Sequence, residues 1–364
     1  SSVLSKLSSD AVAALSTTVI SNLTTVQLGG VNAGQIGGLT TAQALALTTT
    51  QAASLTSAQA QGLNSAQLAQ LSTNGGLQKL SASAVVGLST DVLVSLGTAG
   101  VNLLSSDQVA GLKTAQLSSL TTLQFNKLGA AQALGISSAQ VGALSTDRVA
   151  ALNTTALASI KATAVGGISS TQLHALSTTQ LQALTTAQMP SVTAKQLAGL
   201  DTAQVARLES QDLQNLATST IAGLSTASLQ ALDSVQLGGL YTTQVAALTV
   251  TQMGALTTAQ LDTLGADQAK GLTSTQVGAL LAFNISALNT TALAAVTTVA
   301  IAGLSNTQMG MLTTDQVQAL TTAQAAQLTV KQLGGLSTDQ VVSLESQDLA
   351  KLSTSTLAGM SDSA

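Results

Sequence analysis

Every eighth residue of this chain is a large aliphatic one, and that period constrains the fold more than any other feature of the sequence. From Leu80 the series runs through Leu88, Leu96, Leu104, Leu112, Leu120, Leu128 and Ile136 to Leu352 and Met360 without a polar residue, 36 anchors in all. Before it, Leu7, Leu15, Leu23, Val31, Leu39, Leu47, Leu55, Leu63 and Leu71 keep the same period in a register one residue earlier. The two registers meet between Leu71 and Leu80, where Asn74-Gly75-Gly76 supplies one extra residue, so residues 72–79 carry the shift. The outcome is 45 octads with essentially no linker, and residues 1–364 read as one continuous repeat array.

The consensus octad is Leu, Ser/Thr, Thr/Ser, any residue, Gln, Leu/Val, any residue, Ala/Gly, as in Leu176-Ser177-Thr178-Thr179-Gln180-Leu181-Gln182-Ala183. Position six is a second aliphatic stripe, visible in Leu173, Leu181, Met189, Leu197 and Val205. Four of the five methionines (Met189, Met253, Met309 and Met360) fall on the two stripes, as core fillers do. Phe125 falls on the second stripe and reads as core.

Thr and Val favour strands, so a β-solenoid is the alternative architecture. The stripes, however, are separated by five residues and then three. Both steps are odd, so an extended chain would point them to opposite faces. One continuous helix also fails, because eight residues over two turns overshoot 3.6 per turn and the stripe precesses by roughly 40° per turn. Short helices broken once per octad fit. With Ser or Thr of position two as N-cap, its side chain accepts from the backbone N–H of position five, and Gln of position five reaches back to the cap's own N–H. Position one is then N′ and position six N4, the hydrophobic staple pair. The rare charges agree. Fourteen of the 15 acidic residues lie at positions two to five, the first turn, with Asp262 the exception. Six of the 11 basic residues (Lys6, Lys79, Lys127, Arg207, Lys270 and Lys351) lie at positions seven or eight, the helix end. Helix dipoles favour this polarity and strands do not. The expected fold class is all-α, a solenoid of very short capped helices, one per octad. Pro190, at position seven, stands against it mildly, because it removes a helical hydrogen bond.

One octad buries two large aliphatic side chains, worth roughly 3–6 kcal/mol. Ordering eight residues costs roughly 10–12 kcal/mol. A lone octad therefore does not fold, whereas stacked octads share their stripes. Small residues at position eight, such as Gly199, Gly223 and Gly239, let neighbouring helices approach, and the spacing suits two or three octads per coil. A longer period overlies the octad. Leu208-Glu209-Ser210-Gln211-Asp212-Leu213 recurs from Leu344, and Leu152-Asn153-Thr154-Thr155-Ala156-Leu157 recurs from Leu288, both at an offset of 136, or 17 octads. Duplication of a 17-octad block explains this, and a structural repeat of the same length is the sharper expectation. Neither end carries an obvious polar capping repeat, so the chain reads as a segment of a longer array or a subunit that docks end to end.

Composition narrows the function. Charged residues make up 7% of the chain, against about 25% in an ordinary domain. There is no cysteine, hence no disulfide framework and no thiol-based metal or redox site. With net charge −4, pI near 4.7 and 11 scattered basic residues, a nucleic-acid footprint is not expected. Mean hydropathy is +0.41, yet Ser, Thr or Gln interrupts every apolar run, so no membrane span is expected. No signal peptide is expected at Ser1.

Individual residues read blandly. His174, the single histidine, has no second ligand and is a solvated helix residue. Tyr241 replaces an N-cap and belongs to the surface. Phe283 sits at position four, and Asn284 replaces the usual Gln, so that octad is irregular. No Gly-x-Ser-x-Gly elbow is present, and pairs such as Gly29-Gly30 and Gly334-Gly335 are packing or helix-ending positions, not phosphate loops. The acids sit singly and read as first-turn helix charges, not calcium ligands. Asn22, Asn153, Asn284 and Asn289 head glycosylation sequons of the kind a Ser/Thr-rich chain produces by chance. The expectation is no catalytic residue, no cofactor-binding residue, no metal site and no cofactor.

The run Leu256-Thr257-Thr258-Ala259-Gln260-Leu261 resembles octapeptide-repeat regions of large secreted or surface bacterial proteins, adhesin-like or fibre-forming. The resemblance covers almost the whole chain and implies a spacer, stalk or fibre. The resulting expectation is a non-enzymatic extracellular or cell-surface structural protein that associates with itself into a filament, sheath or stalk. The alternative is an adhesin or glycan-binding module using the Ser/Thr/Gln face. A more distant one is an ice-binding protein using its Thr ladders.

Overall fold

A computed structural model describes residues 4–358; Met360, the last anchor, and Asp362, one of the first-turn acids, lie outside the described residues. Among the described residues the chain is all helical, with 42 α-helices, three 3-10 segments and no strand, which sets aside the β-solenoid. Most helices are four to six residues long and begin at position three of an octad. Position two is the N-cap in nearly every octad: the Ser177 hydroxyl accepts from the Gln180 N–H at 3.2 Å, while the Gln180 side-chain oxygen accepts from the Ser177 N–H at 2.8 Å. The capping box read from the octad is therefore formed, and it recurs in helices of both halves of the chain.

Both stripes are interior. Leu104, Leu120, Leu128 and Ile136 of position one and Val109, Leu117 and Phe125 of position six are at most 2% exposed. The coil contains three octads, at the upper end of the expected two or three. Helices three apart in the chain pack on one another, for example Thr41–Ala46 on Ser65–Thr73 and Thr314–Gln318 on Thr338–Ser343. Small residues at position eight permit this spacing. A Cβ on Gly62 would stand 1.9 Å from the Ala33 carbonyl oxygen, and one on Gly303 would stand 2.0 Å from that of Ser274. Each glycine thus lies directly against the first turn of a helix in the coil before it.

Two interruptions have local causes. The one-residue insertion lengthens one helix to nine residues, Ser65–Thr73, and Gly75 turns the chain out of it at φ +81°, a left-handed conformation that glycine adopts without steric cost. Pro190 converts its octad to the 3-10 segment Met189–Ser191, as its missing N–H requires. The Phe283 octad is also a 3-10 segment, Ala282–Ala287, with Phe283 exposed and Ile285 and Asn284 buried. The chain divides into two compact units, Ser1–Ser191 and Val192–Ala364, each built from this coil. In sequence, the octad period runs through the division without a break.

Candidate functional site

The chemistry of this molecule is concentrated at position five of the octad. Gln there is buried in most octads, at 1% exposure for Gln43, Gln108, Gln244 and Gln324, although Gln27 is exposed and Gln180 half-buried. Its oxygen serves the capping box. Its nitrogen does something that octad spacing does not reveal. Gln140 Nε2 donates to the carbonyls of Val109 at 2.9 Å and Leu112 at 2.8 Å, 31 and 28 residues earlier. Gln43 does the same to Val12 and Leu15, and Gln332 to Ile301 and Leu304. A single amide thereby closes a helix start and ties that helix to the end of another in the preceding coil. Buried carbonyls require such donors, because an unpaired one costs about 1–3 kcal/mol.

Where Gln is replaced, the same carbonyl still receives a donor in several octads. Arg148 Nε donates to Leu120 at 3.0 Å, Thr220 Oγ1 to Val192 at 3.0 Å and Asn284 Nδ2 to Leu256 at 3.1 Å, each 28 residues back. Elsewhere the donor moves. Ala156 and Ala292 occupy position five, and Asn153 and Asn289 of position two take over. Asn153 Nδ2 reaches the carbonyls of Asn126 and Leu128, and Asn289 Nδ2, 17 octads later, those of Asp262 and Leu264. Asn74 at the insertion acts likewise on Leu45 and Leu47.

The Gln-free octads are grouped. Beyond the insertion, Ala84, Val92 and Gly100 form one consecutive run, Arg148, Ala156 and Ala164 a second, Asp212, Thr220 and Ser228 a third, and Asn284, Ala292 and Ala300 a fourth. Three octads make one coil, so each run removes Gln from one whole turn. The first members, Ala84, Arg148, Asp212 and Asn284, are spaced by eight, eight and nine octads, and Asp348 follows eight octads after the last.

Asp212 and Asp348 depart furthest from the pattern. Both stand in the first turn of a helix, as read from the sequence, and both are buried, at 3% and 1% exposure. Neither carboxylate oxygen of Asp348 has a hydrogen-bond partner. Burial and the neighbouring Glu209 charge push the Asp212 carboxyl up to about 6.

The remaining singled-out residues fall where simple packing puts them. His174 is exposed, Phe125 is fully buried, and Tyr241 is an exposed N-cap whose side chain makes no capping bond. Open grooves follow the corners between octads. One of about 460 Å³ is bordered by Thr258, Asp262, Ser286, Asn289, Thr313 and Asp315, and one of about 430 Å³ by Tyr241, Thr242, Asp267 and Gln268. Lys270 pairs with Asp267 at 2.9 Å across exposed surface, where such pairs contribute little. Among the described residues no group of three or more His, Cys, Asp or Glu side chains is placed to hold a metal ion, and no helix is long and apolar enough to cross a membrane.

The ALTTAQ repeat family model matches residues 205–242 and 285–322, two stretches that are similar to this repeat and cover a minor part of the chain. Both begin on a position-six aliphatic, Val205 and Ile285, so the family's period coincides with the octad. No curated protein matches the chain.

Proposed function

We propose that this chain is a non-enzymatic structural repeat protein of the cell surface or extracellular space, and that it associates with itself into a filament, sheath or stalk. The observation that carries the reading is the position-five clamp, which makes each coil an acceptor for the next. Where Gln holds position five, a coil donates amides to buried carbonyls at two fixed positions of the coil before it, so the unit extends without a specialised end. Stability then accumulates by nearest-neighbour contacts, as in other solenoids. The low surface charge, 7% of all residues, reduces repulsion between copies laid side by side.

Electron microscopy of the purified chain over a range of concentration tests the reading. Long fibres of uniform width support it. Dispersed particles at every concentration, ionic strength and pH would overturn it. A second reading, a glycan-binding surface module, is favoured by one observation: Tyr241, 56% exposed, borders a groove with Thr242 and Asp267. An exposed aromatic ring beside hydroxyl and carboxylate groups suits a sugar face. Glycan-array binding abolished by Tyr241→Ala would support that reading over the first.

A further inference from the structure

Charge divides unevenly between the two units. The first holds six basic and four acidic residues, net +2, and the second holds five and eleven, net −6. Within the first unit, position two is Ser, Thr, Asn or Gly in every octad but two, and the exceptions are Lys113 and Lys161. Neither side chain makes a capping bond. Each gives up a cap and puts a cation at the positive end of its helix, so local stability does not account for them. They are 48 residues, or two coils, apart in one stack: Thr114–Ser119 packs on Ser138–Gly142, which packs on Ala162–Val165. Both lysines are exposed, and the octad between them exposes only Ser, Ala and Gly.

One stack of the second unit carries the opposite sign. Glu209, Asp233 and Asp262 are exposed on three successive coils, where Ser210–Asn215 packs on Ser234–Gly238 and that on Thr258–Asp262. Glu209 also holds position two without a capping bond, and Asp262 ends its helix. The next coil of the stack, Ala282–Ala287, adds Leu281 and Phe283, 45% and 65% exposed. Of the other charges, Arg207 ends the octad before Glu209, Lys331 stands three coils beyond Asp262, and Asp91 stands one coil before Lys113. Resting on the self-association read above, we infer that its contact joins unlike faces: the Lys113–Lys161 face of the first unit in one copy docks on the Glu209–Asp262 face of the second unit in another. Both faces span two coils, so the charges meet in one register. Exposed ion pairs add little affinity. Here they select the face and the register, while Leu281 and Phe283 supply apolar area. A contact between unlike faces leaves one of each kind unused and repeats from copy to copy.

The test compares the full chain with three double variants of it, Lys113→Ser/Lys161→Ser, Lys113→Glu/Lys161→Glu and Glu209→Lys/Asp262→Lys, by thermal melting, circular dichroism and electron microscopy. The Ser pair restores the cap that the octad normally carries, so it is expected to melt above wild type. It is nevertheless expected to need a higher protein concentration to form fibres, an opposition that a purely structural role for the lysines does not produce. Each charge-reversed pair alone is expected to form no fibres where wild type does. An equimolar mixture of the two is expected to regain them, because each offers the face that the other has lost. Unchanged fibre formation by the Ser pair overturns the contact while leaving self-association standing. So do reversed pairs that fold by circular dichroism yet stay dispersed when mixed. A wild type dispersed under all conditions overturns both the contact and the reading it rests on.

Discussion

Gln140 and Leu112 lie 28 residues apart, yet the Gln140 Nε2 donates to the Leu112 carbonyl oxygen at 2.8 Å while its own Oε1 accepts from the Ser137 N–H at 2.8 Å. The first bond joins two coils and the second starts a helix. Because one side chain does both, helix formation and coil stacking are coupled at every octad that has Gln, which makes folding of a single octad unfavourable and growth of the array favourable.

Gln140→Met keeps the volume and removes both bonds. It is expected to lower stability by about 1–3 kcal/mol, the cost of leaving buried carbonyls without a donor. Gln140→Glu keeps the capping acceptor but turns an oxygen toward Val109 and Leu112, and is expected to cost more than Met at pH 7. Urea unfolding of both variants checks the order; Glu equal to wild type at neutral pH would contradict it.

Glycines at positions seven and eight separate into those with and without room. A Cβ on Gly303, at position eight, meets the Ser274 carbonyl oxygen at 2.0 Å, whereas one on Gly238, at position seven, meets nothing nearer than 3.8 Å. Gly303→Ala is therefore expected to destabilise by about 1–3 kcal/mol through overpacking. Gly238→Ala, at the end of its helix, is expected to be neutral or stabilising by up to about 1 kcal/mol. Thermal melts of the two single variants suffice to compare them.

Asn153 and Asn289 each cap a helix, at 2.9 and 2.8 Å, and each clamp two carbonyls of the preceding coil. Replacing either with Ala is expected to cost about 1–3 kcal/mol, more than a cap alone, and the two costs are expected to agree closely. A large effect at one position with none at the other, measured by hydrogen exchange of the flanking helices, would show that the two segments are not equivalent.

The capping boxes, the two stripes and the close approach at position eight were legible because each depends on residues within one octad or on the octad period itself. Three octads per coil was not, since it depends on how far a chain of short helices rotates at each corner. The clamp was hidden for the same reason, although a signal existed. Glu would serve a capping box and the helix dipole as well as Gln. Yet the chain contains two Glu, at 209 and 345, and neither stands at position five. The absence of Glu from a position so often filled by Gln is the trace that the amide nitrogen, and not the oxygen alone, is used. Asp212 and Asp348 stand in the first turn, as read from the sequence, but that place explains a charge without showing that it is buried.

The coil of three octads, tied by position five, is tested most directly by deletion within the second unit. Removing residues 249–272, one whole coil, returns every later Gln to an equivalent pair of carbonyls. The variant is expected to unfold cooperatively, with unchanged helical circular dichroism per residue. Removing residues 249–252 alone puts the three clamps that span the cut, those of Gln260, Gln268 and Gln276, out of register with their carbonyls, and loss of helicity and cooperativity is expected. Equal tolerance of the two deletions would contradict the coil and the clamp together.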